Sequence, residues 1–299
     1  MDGMATPSPG ASAHLAITPQ LRRQLADWLQ EDLGRGDLSA SALEGRHGQA
    51  QWIAKADGVF CGGVLIGPLL QELQPPDGGC QWQCLVADGA AVKAGDPVLS
   101  LEGPATLLVA LERTALNLAM RLSGIATATA ALVAQLQGTN VQLADTRKTT
   151  PGLRLLEKYA VRCGGGINHR LGLDDAAMLK ENHLAWAGGV EQAMAAVRRH
   201  APWPARVIVE AETAAEARAA INAGADGVLL DEFSPAALQE LVPQLRQLAR
   251  ERGTAVVLEA SGIQPQELRA YGASGIDLIS TSAPVTRSTW LDLSMRFTP

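Results

Sequence analysis

Residues 205–259 decide the fold: they read ARVIVE at 205–210, GVLLD at 227–231 and AVVLE at 255–259, with helical patterns between them at 213–223 and 234–252. Short apolar strands that alternate with helices of this length form βα units, and hence a parallel sheet. The pattern extends outward to apolar runs at 141–144, 178–179 and 276–279 and to a helix at 190–200. We therefore predict an α/β fold with a (β/α) barrel-like region. Fewer than eight strands are visible, so a full barrel and an incomplete one both stay open.

Charged residues follow the predicted strands. They are Arg147-Lys148, Lys180, Glu210, Asp231 and Glu259, each directly or shortly after an apolar run. In a (β/α) barrel the active site is built at the carboxyl ends of the strands. One such charge could be a surface-loop residue, but five in succession favour a site.

The chain before this region has a different character. Residues 1–18 are small and polar and predict a mobile tail, and 19–32 predict a short helix. Short apolar runs broken by glycine turns, one of them Asp77-Gly78-Gly79, follow up to residue 101 and indicate a small α/β region. Apolar residues spaced by three and four from 111 to 136 predict one long helix, with Gly124 as a candidate interruption. We place the domains at 19–124 and 125–283.

Composition excludes several classes of function. The net charge of −6 argues against a general nucleic-acid binder, and the start of the chain lacks the features of a signal peptide. No uninterrupted apolar run is long enough to span a membrane. We expect a cytoplasmic protein that binds neither nucleic acid nor membrane, with its four cysteines reduced.

A local excess of cations stands out in this acidic chain. Between 146 and 173 there are six cations and one acid, Glu157; the cations are Arg147, Lys148, Arg154, Lys158, Arg162 and Arg170. A solvated basic helix face is the plain alternative, but glycine and proline interrupt regular structure on both sides of the cluster. We favour an anion site. His169 lies between Asn168 and Arg170 in this cluster and could donate or accept there, or be only structural.

Two other features complete the candidate site. Glu210 and Asp231 end consecutive strands, so their carboxylates could converge on sugar hydroxyls or on Mg²⁺, or could instead form ion pairs with nearby cations. Hydroxyls and backbone amides at Ser261-Gly262 and Ser280-Thr281-Ser282 lie where late barrel loops commonly hold a phosphate. Together these features suit substrates rich in negative charge.

Longer motifs resemble one enzyme family, quinolinate phosphoribosyltransferase. The resemblance is carried by DTRKTTPGLR at 145–154, LEKYAVR at 156–162, GGG at 164–166 and NHR at 168–170. EDLGRGDL at 31–38, ERTALN at 112–117, LKENH at 179–183, LEASG at 258–262 and LDLSMRF at 291–297 are similar to further family segments in the same order.

The resemblance implies an open barrel of about seven strands beside an N-terminal α/β sandwich domain that residues 284–299 rejoin. It also implies a pentosyltransferase that joins quinolinate to phosphoribosyl pyrophosphate with decarboxylation, giving nicotinate mononucleotide, pyrophosphate and CO₂ for NAD biosynthesis. The enzyme would use Mg²⁺ and form a homodimer in which Arg113 reaches the partner's site.

The resemblance further assigns residue roles. Lys148, Glu210 and Asp231 would be catalytic, and Glu210 and Asp231 would face ribose hydroxyls and hold Mg²⁺, directly or through water or substrate. The two quinolinate carboxylates and part of the phosphates would be bound by Thr146, Arg147, Lys148, His169, Arg170 and Lys180. The 5′-phosphate would be bound by Ser261, Gly262, Ile263, Ser280, Thr281 and Ser282.

Three positions depart from the family pattern: Glu232 stands where asparagine is usual, Ser282 where glycine is usual, and Pro284 where a less constrained residue is common. They put the geometry of the phosphate loops in doubt. Two rivals remain. One is a molybdenum-transport-associated paralogue of the same fold. The other is a non-catalytic binding module, because residues 88–96 resemble a turn of biotinyl- or lipoyl-carrier domains.

Overall fold

The computed structural model describes residues 13–74 and 79–298. The predicted tail up to residue 12 and the turn residues Asp77 and Gly78 lie outside the described residues. The rest forms two compact units. We call residues 13–130, Thr150–Gly165 and 287–298 the N-terminal unit, and Ala131–Thr149 with Gly166–Thr286 the barrel unit.

The helices and strands follow in chain order. The helices are α1 (Pro19–Leu33), α2 (Ile66–Leu73), α3 (Ala105–Gln135), α4 (Arg154–Cys163), α5 (Glu181–Ala187), α6 (Val190–His200), α7 (Ala214–Asn222), α8 (Pro235–Glu251), α9 (Leu268–Gly272) and α10 (Ala283–Thr286). The strands are β1 (His47–Ala54), β2 (Gly58–Val59), β3 (Gln81–Cys84), β4 (Ala91–Val92), β5 (Pro97–Pro104), β6 (Gln142–Ala144), β7 (Ala177–Leu179), β8 (Val207–Ala211), β9 (Gly227–Asp231), β10 (Val257–Ser261), β11 (Leu278–Ser280) and β12 (Leu293–Thr298).

The N-terminal unit is built on an antiparallel sheet in the order β12-β1-β5-β3. The last strand of the chain returns to this sheet, with Trp52 of β1 opposite Met295 of β12. Trp52 is fully buried, and its indole N–H donates to the Met295 sulfur at 3.2 Å. A buried tryptophan contributes a large apolar surface and satisfies its one donor, so this pair fastens the returning strand. The predicted return of the C-terminal segment is confirmed.

The long helix α3 runs without a break through Gly124. Glycine is required there for another reason: a Cβ at Gly124 would lie 2.0 Å from the carbonyl oxygen of Thr289. Among the described residues α3 is long and apolar enough to cross a membrane by length and composition, but half of its most apolar window is buried. Its leucines at 108, 111, 116 and 122 are core residues. Helices at the centre of a globular protein have this character.

The barrel unit contains a parallel sheet in the order β6-β11-β10-β9-β8-β7. Ile167 adds a single parallel bridge at the other edge of β6, donating its N–H to Leu143 (2.8 Å) and accepting from Asp145 (3.1 Å). Six strands and this short seventh position form an open barrel, because no ladder joins Ile167 to β7 within the described chain. The predicted fold class is confirmed.

Side chains from the strands and the covering helices form one core in the barrel unit, including Val209, Leu230 and Leu258 from strands and Leu238 and Leu245 from α8. The helices begin as the sequence predicts. Thr213 caps α7 by accepting from the N–H of Glu216, and Ser234 caps α8 in the same way.

The predicted ends of two strands were wrong. Glu210 and Glu259 were expected to follow β8 and β10, whereas both lie within them, in register with Leu229 and Leu278. Backbone pairing does not depend on side-chain polarity, so the ladder continues past the point where the apolar run stops. Both carboxylates are therefore held on rigid strands.

Candidate active site

The predicted site residues of the barrel unit gather at the carboxyl ends of its parallel strands. Asp145 to Lys148 follow β6, Asn168 to Arg170 follow the Ile167 bridge, and Lys180 follows β7. Asp231 and Ser261 are the last residues of β9 and β10, and Ser280 is the last of β11. Parallel strands bring these ends to one edge of the barrel, where active sites of this architecture lie.

A buried aspartate ties two of these strand ends together. Asp145 is 1% exposed, and its two carboxylate oxygens accept from the His169 backbone N–H at 2.8 Å and from the Asn168 side-chain amide at 2.7 Å. Hydrogen bonds to an ionised acceptor are strong, so the segment from Asn168 to Arg170 is fixed to the end of β6. Asp145 begins the motif at 145–154, but the sequence alone did not predict this role for it.

The His169 ring is held at both nitrogens. Nε2 lies 3.1 Å from a carboxylate oxygen of Glu259, and Nδ1 accepts the backbone N–H of Arg170 at 2.7 Å. A nitrogen that accepts carries no proton, so this geometry selects the tautomer with the proton on Nε2. Glu259, 3% exposed, is a member of the site that sequence reasoning noted at a strand end and left without a role. Its partner lies 90 positions away, and no local pattern marks the pair.

Two guanidinium groups lie close together beside this histidine. Arg170 donates from Nη1 to the carbonyl of Ala176 at 2.9 Å. Burial, and after it the charge of Arg147, lower the pKa of the Arg170 guanidinium, and Asp175 partly offsets this. Arg147 Nη1 is buried and has no hydrogen-bond partner among the described residues. A buried donor of this kind is costly and indicates a place for an acceptor.

The two predicted lysines differ in their surroundings. The Lys148 side chain is exposed, while its backbone N–H donates to the Thr146 hydroxyl at 3.0 Å. Lys180 forms an ion pair with Glu210. Ion pairing of this acid with a nearby cation is one of the two alternatives that the sequence left open.

Carboxylates gather on the other side of the strand ends. Asp231 accepts a hydrogen bond from the Ser261 hydroxyl. Partial desolvation and then the neighbouring carboxylates of Glu181, Glu216, Asp231 and Glu210 raise the pKa of Glu212. No group of three or more potential metal ligands occurs within residues 13–74 and 79–298.

The late loops have defined backbones. Gly262 has φ of +76°, a conformation that suits glycine. The hydroxyl of Thr281 accepts the N–H of Ala283 at 3.2 Å, and the carbonyl of Ser282 accepts from Val285 at 3.0 Å and Thr286 at 2.9 Å. Ser282 does not have a positive φ, so glycine is not required there.

Comparison with known proteins places this geometry in a family. Residues 37–123 match the quinolinate phosphoribosyl transferase N-terminal domain and residues 125–296 match the C-terminal domain. The chain belongs to the quinolinate phosphoribosyltransferase family. Because both regions match the family, the turn at 88–96 that resembles carrier domains is a local feature of a family member. It is not evidence for a separate binding module.

Individual relatives agree with this quinolinate phosphoribosyltransferase assignment. A probable nicotinate-nucleotide pyrophosphorylase (carboxylating) from Synechocystis is 43% identical over 91% of this chain and 90% of its own length. The nicotinate-nucleotide pyrophosphorylase (carboxylating) of Mycobacterium leprae is 37% identical over 89% and 93%. The structure of nicotinate-nucleotide pyrophosphorylase from Francisella tularensis superposes with a TM-score of 0.86 at 34% identity, covering 94% of this chain and 98% of that one.

Arg113, the remaining predicted residue of the quinolinate phosphoribosyltransferase site, lies on α3 in the N-terminal unit. Its side chain is exposed and forms no hydrogen bond or ion pair with the described residues. It borders a pocket of about 500 Å³ within that unit, together with Trp28, Glu31 and Trp290.

The basic cluster of the family motif divides between the two units. Arg154, Lys158 and Arg162 lie on α4 in the N-terminal unit, where Lys158 is only 1% exposed. Lys158 therefore adds nothing to a basic surface. Gly164, the first glycine of the motif at 164–166, has a packing role, because a Cβ there would lie 2.4 Å from the Ala126 carbonyl oxygen.

Proposed function

We propose that this quinolinate phosphoribosyltransferase family member transfers the phosphoribosyl group of phosphoribosyl pyrophosphate to quinolinate and decarboxylates the adduct. The products are nicotinate mononucleotide, pyrophosphate and CO₂, an entry step of de novo NAD biosynthesis. Relatives at 37–43% identity over most of the chain carry the name of this activity. The observation that carries the proposal is the buried, unpartnered Nη1 of Arg147 next to the Arg170 guanidinium.

Two neighbouring guanidiniums repel each other, and each lacks the full solvation of an exposed arginine. A dicarboxylate relieves both costs, because each carboxylate can accept charge-assisted hydrogen bonds from a guanidinium. A substrate with one carboxylate relieves only part of them. The pair therefore favours quinolinate over nicotinate. We propose that Lys148 and Lys180 assist the two arginines in binding the substrate anions, together with Thr146 in the loop after β6. Both ring nitrogens of His169 are already engaged, by Glu259 and by the Arg170 backbone. Direct contact of His169 with the substrate therefore stays a prediction.

The chemistry needs positioning and charge stabilisation more than a protein nucleophile. The bond from C1 of the ribose to pyrophosphate breaks as the pyridine nitrogen forms a bond to C1, through a cationic state at C1. Cations at the strand ends stabilise the departing pyrophosphate. The ring nitrogen is then positively charged. When the bond between C2 and its carboxylate breaks, the electron pair stays at C2 beside that charge, CO₂ leaves, and C2 takes up a proton.

The acidic residues suit the sugar and a metal ion. We propose that Glu210 and Asp231 face the ribose hydroxyls and hold Mg²⁺, which neutralises pyrophosphate charge when it is bound. Mg²⁺ commonly uses one or two carboxylates with phosphates and water, and this donor set fits that pattern. Ser261 to Ile263 and Ser280 to Ser282 then receive the 5′-phosphate.

The proposed oligomeric state and cellular location rest on the family and on the position of Arg113. We propose a cytoplasmic homodimer in which the exposed Arg113 enters the partner's site, with no role for nucleic acid or membrane. An arginine that is exposed and has no partner among the described residues is available for such a contact.

The reaction is tested by mixing the purified protein with quinolinate, phosphoribosyl pyrophosphate and Mg²⁺. We expect nicotinate mononucleotide and CO₂ in equal amounts, and little product with nicotinate in place of quinolinate. Arg147→Met should raise the KM for quinolinate at least tenfold, since a charged hydrogen bond is worth about 1.5–3 kcal/mol. Arg252→Met, at an exposed position beyond α8, is the matched control. Absence of product, or equal turnover of nicotinate, would refute the assignment.

The dimer is tested by complementation. Arg113→Ala and Lys148→Ala chains, each inactive alone, are co-expressed and mixed dimers are purified with two tags. If Arg113 acts in the partner's site, one site of each mixed dimer retains both residues and part of the activity returns. Mixed dimers without any recovery would count against it.

A further inference from the structure

A buried carboxylate lies behind the residues assigned to substrate binding. The Glu259 side chain is 4% exposed, and one of its oxygens contacts His169 Nε2 at 3.1 Å. Its other oxygen, Oε1, is buried without a hydrogen-bond partner among the described residues. Burying a carboxylate with one oxygen unsatisfied costs stability. Packing alone therefore does not account for an acid at this position.

The contacts of His169 show what the carboxylate can do. The ring bridges Glu259 and the Arg170 backbone N–H, and the backbone of His169 is tied to Asp145. Rotation of the ring would break the contact at Nε2 and the contact at Nδ1 together. Glu259 is itself fixed, because it lies inside β10 between paired strands. The orientation of the short segment that carries Arg170 thus depends on a chain of contacts that ends at Glu259.

We propose that Glu259 is a positioning residue for the reaction proposed above. It accepts the Nε2–H of His169 and so fixes the orientation of the ring, and through His169 it keeps Arg170 in place beside Arg147 to receive the dicarboxylate. This inference rests on the proposed function and adds a residue to it. A group that orients a binding residue through a second hydrogen bond commonly has a large effect on binding while never touching the ligand.

The first test uses no substrate. The protein is labelled with ¹⁵N-histidine, and the two ring nitrogens of His169 are assigned by long-range ¹H–¹⁵N correlation with a His169→Gln sample as reference. We expect the proton on Nε2 in the unmodified protein and in Glu259→Gln, whose amide oxygen can still accept. In Glu259→Met, which fills similar volume without an acceptor, the Arg170 N–H still favours the same tautomer, but the Nε2 proton loses its partner. We therefore expect the hydrogen-bonded resonance of that proton to shift upfield or to be lost by exchange with solvent. An unchanged spectrum in Glu259→Met would overturn the proposal.

The second test measures kinetics and coupling. Glu259→Met should raise the KM for quinolinate roughly tenfold, the effect of one charged hydrogen bond, and change kcat less. Glu259→Gln should recover most of this loss. Combining Glu259→Met with His169→Gln should add little to His169→Gln alone, because both changes break one chain of contacts. Additive losses would show that Glu259 acts independently of His169. Glu240→Gln, exposed on α8, serves as control.

The two tests separate the two proposals. If the unmodified protein makes no nicotinate mononucleotide while the spectrum changes as expected, the proposed function is refuted and the link from Glu259 to His169 stands. If the protein is active and Glu259→Met alters neither spectrum nor KM, the positioning role is refuted and the function stands. Thermal unfolding of each variant identifies any that fail to fold.

Discussion

Replacing Glu157 by methionine is expected to destabilise the N-terminal unit strongly. Glu157 on α4 is fully buried and accepts from Arg121 Nη2 at 2.8 Å. It also accepts from both the backbone N–H and the hydroxyl of Thr150, each at 2.8 Å. Thr150 is the last residue of the motif that begins at Asp145, so this carboxylate fixes the end of that loop. Methionine has similar volume and can make none of these contacts.

The magnitude follows from what the substitution leaves behind. Removing one partner of a buried ion pair typically costs about 3–5 kcal/mol, because the other charge stays buried without compensation. The Arg121 side chain is 16% exposed and also donates to Ser288, so it keeps some solvation and the Ser288 contact. We therefore expect a loss near the lower end, about 3 kcal/mol. At about 2–4 °C per kcal/mol for a unit of this size, the midpoint should fall by roughly 10 °C.

Differential scanning calorimetry measures the loss, with Glu240→Met as the exposed control. Glu157→Gln should lose less, since an amide oxygen can still accept from Arg121. The double variant with Arg121→Met should be more stable than Glu157→Met alone, because no buried charge is then left uncompensated. The reasoning would be refuted if Glu157→Met lowered the thermal unfolding midpoint by less than about 2 °C, or if the double variant were less stable than Glu157→Met alone.

Three further variants test backbone and packing. Glu232→Asn should stabilise the chain by about 1 kcal/mol in urea unfolding, because Glu232 has a φ of 59° that asparagine adopts more readily; no gain would mean that no strain is stored there. Gly262→Ala, at φ +76°, should raise the KM for phosphoribosyl pyrophosphate several-fold. Gly253→Ala, at φ +67° in open space, should lose only stability, about 1 kcal/mol. Equal KM values for the two variants would count against a phosphate loop at Gly262. Gly164→Ala should lower the thermal midpoint by several degrees, while Gly227→Ala, whose nearest contact is an ordinary 3.5 Å, should lower it less.

Periodicity located the elements of the barrel unit well. The helix predicted at 190–200 has those bounds, and the predicted helices at 213–223 and 234–252 differ by one residue at each end. Apolar runs in a parallel sheet are buried on both faces, so they are visible in sequence. The end of a strand is less visible, since Glu210 continues the ladder of β8. The bridge at Ile167 is a single pair and leaves no pattern at all.

The cations of the candidate site were accessible from the sequence, and their supports were not. Arg147 and Lys180 follow strands, and parallel strands bring their carboxyl ends to the same end of the barrel. The contacts of Asp145 with Asn168 and of Glu259 with His169 join positions 23 and 90 residues apart. Such pairs depend on which strands become neighbours, and sheet order is a property of the folded chain. The family resemblance predicts the residues that contact substrate. The residues that support them, Asp145 and Glu259, are identified only in the structure.

Glu232 shows how a departure from a family pattern gains meaning from a dihedral angle. In the sequence, glutamate in place of the usual asparagine put only the loop geometry in doubt. In the structure this position has a left-handed backbone, which asparagine tolerates better than glutamate because its short polar side chain can hydrogen-bond locally. A Cβ at the neighbouring Gly262 would lie 3.4 Å from the Glu232 side chain. Glu232, which follows Asp231, and Gly262, which follows Ser261, thus both have left-handed backbones and lie next to each other in space. Strain at Glu232 therefore affects the loop proposed to hold the 5′-phosphate.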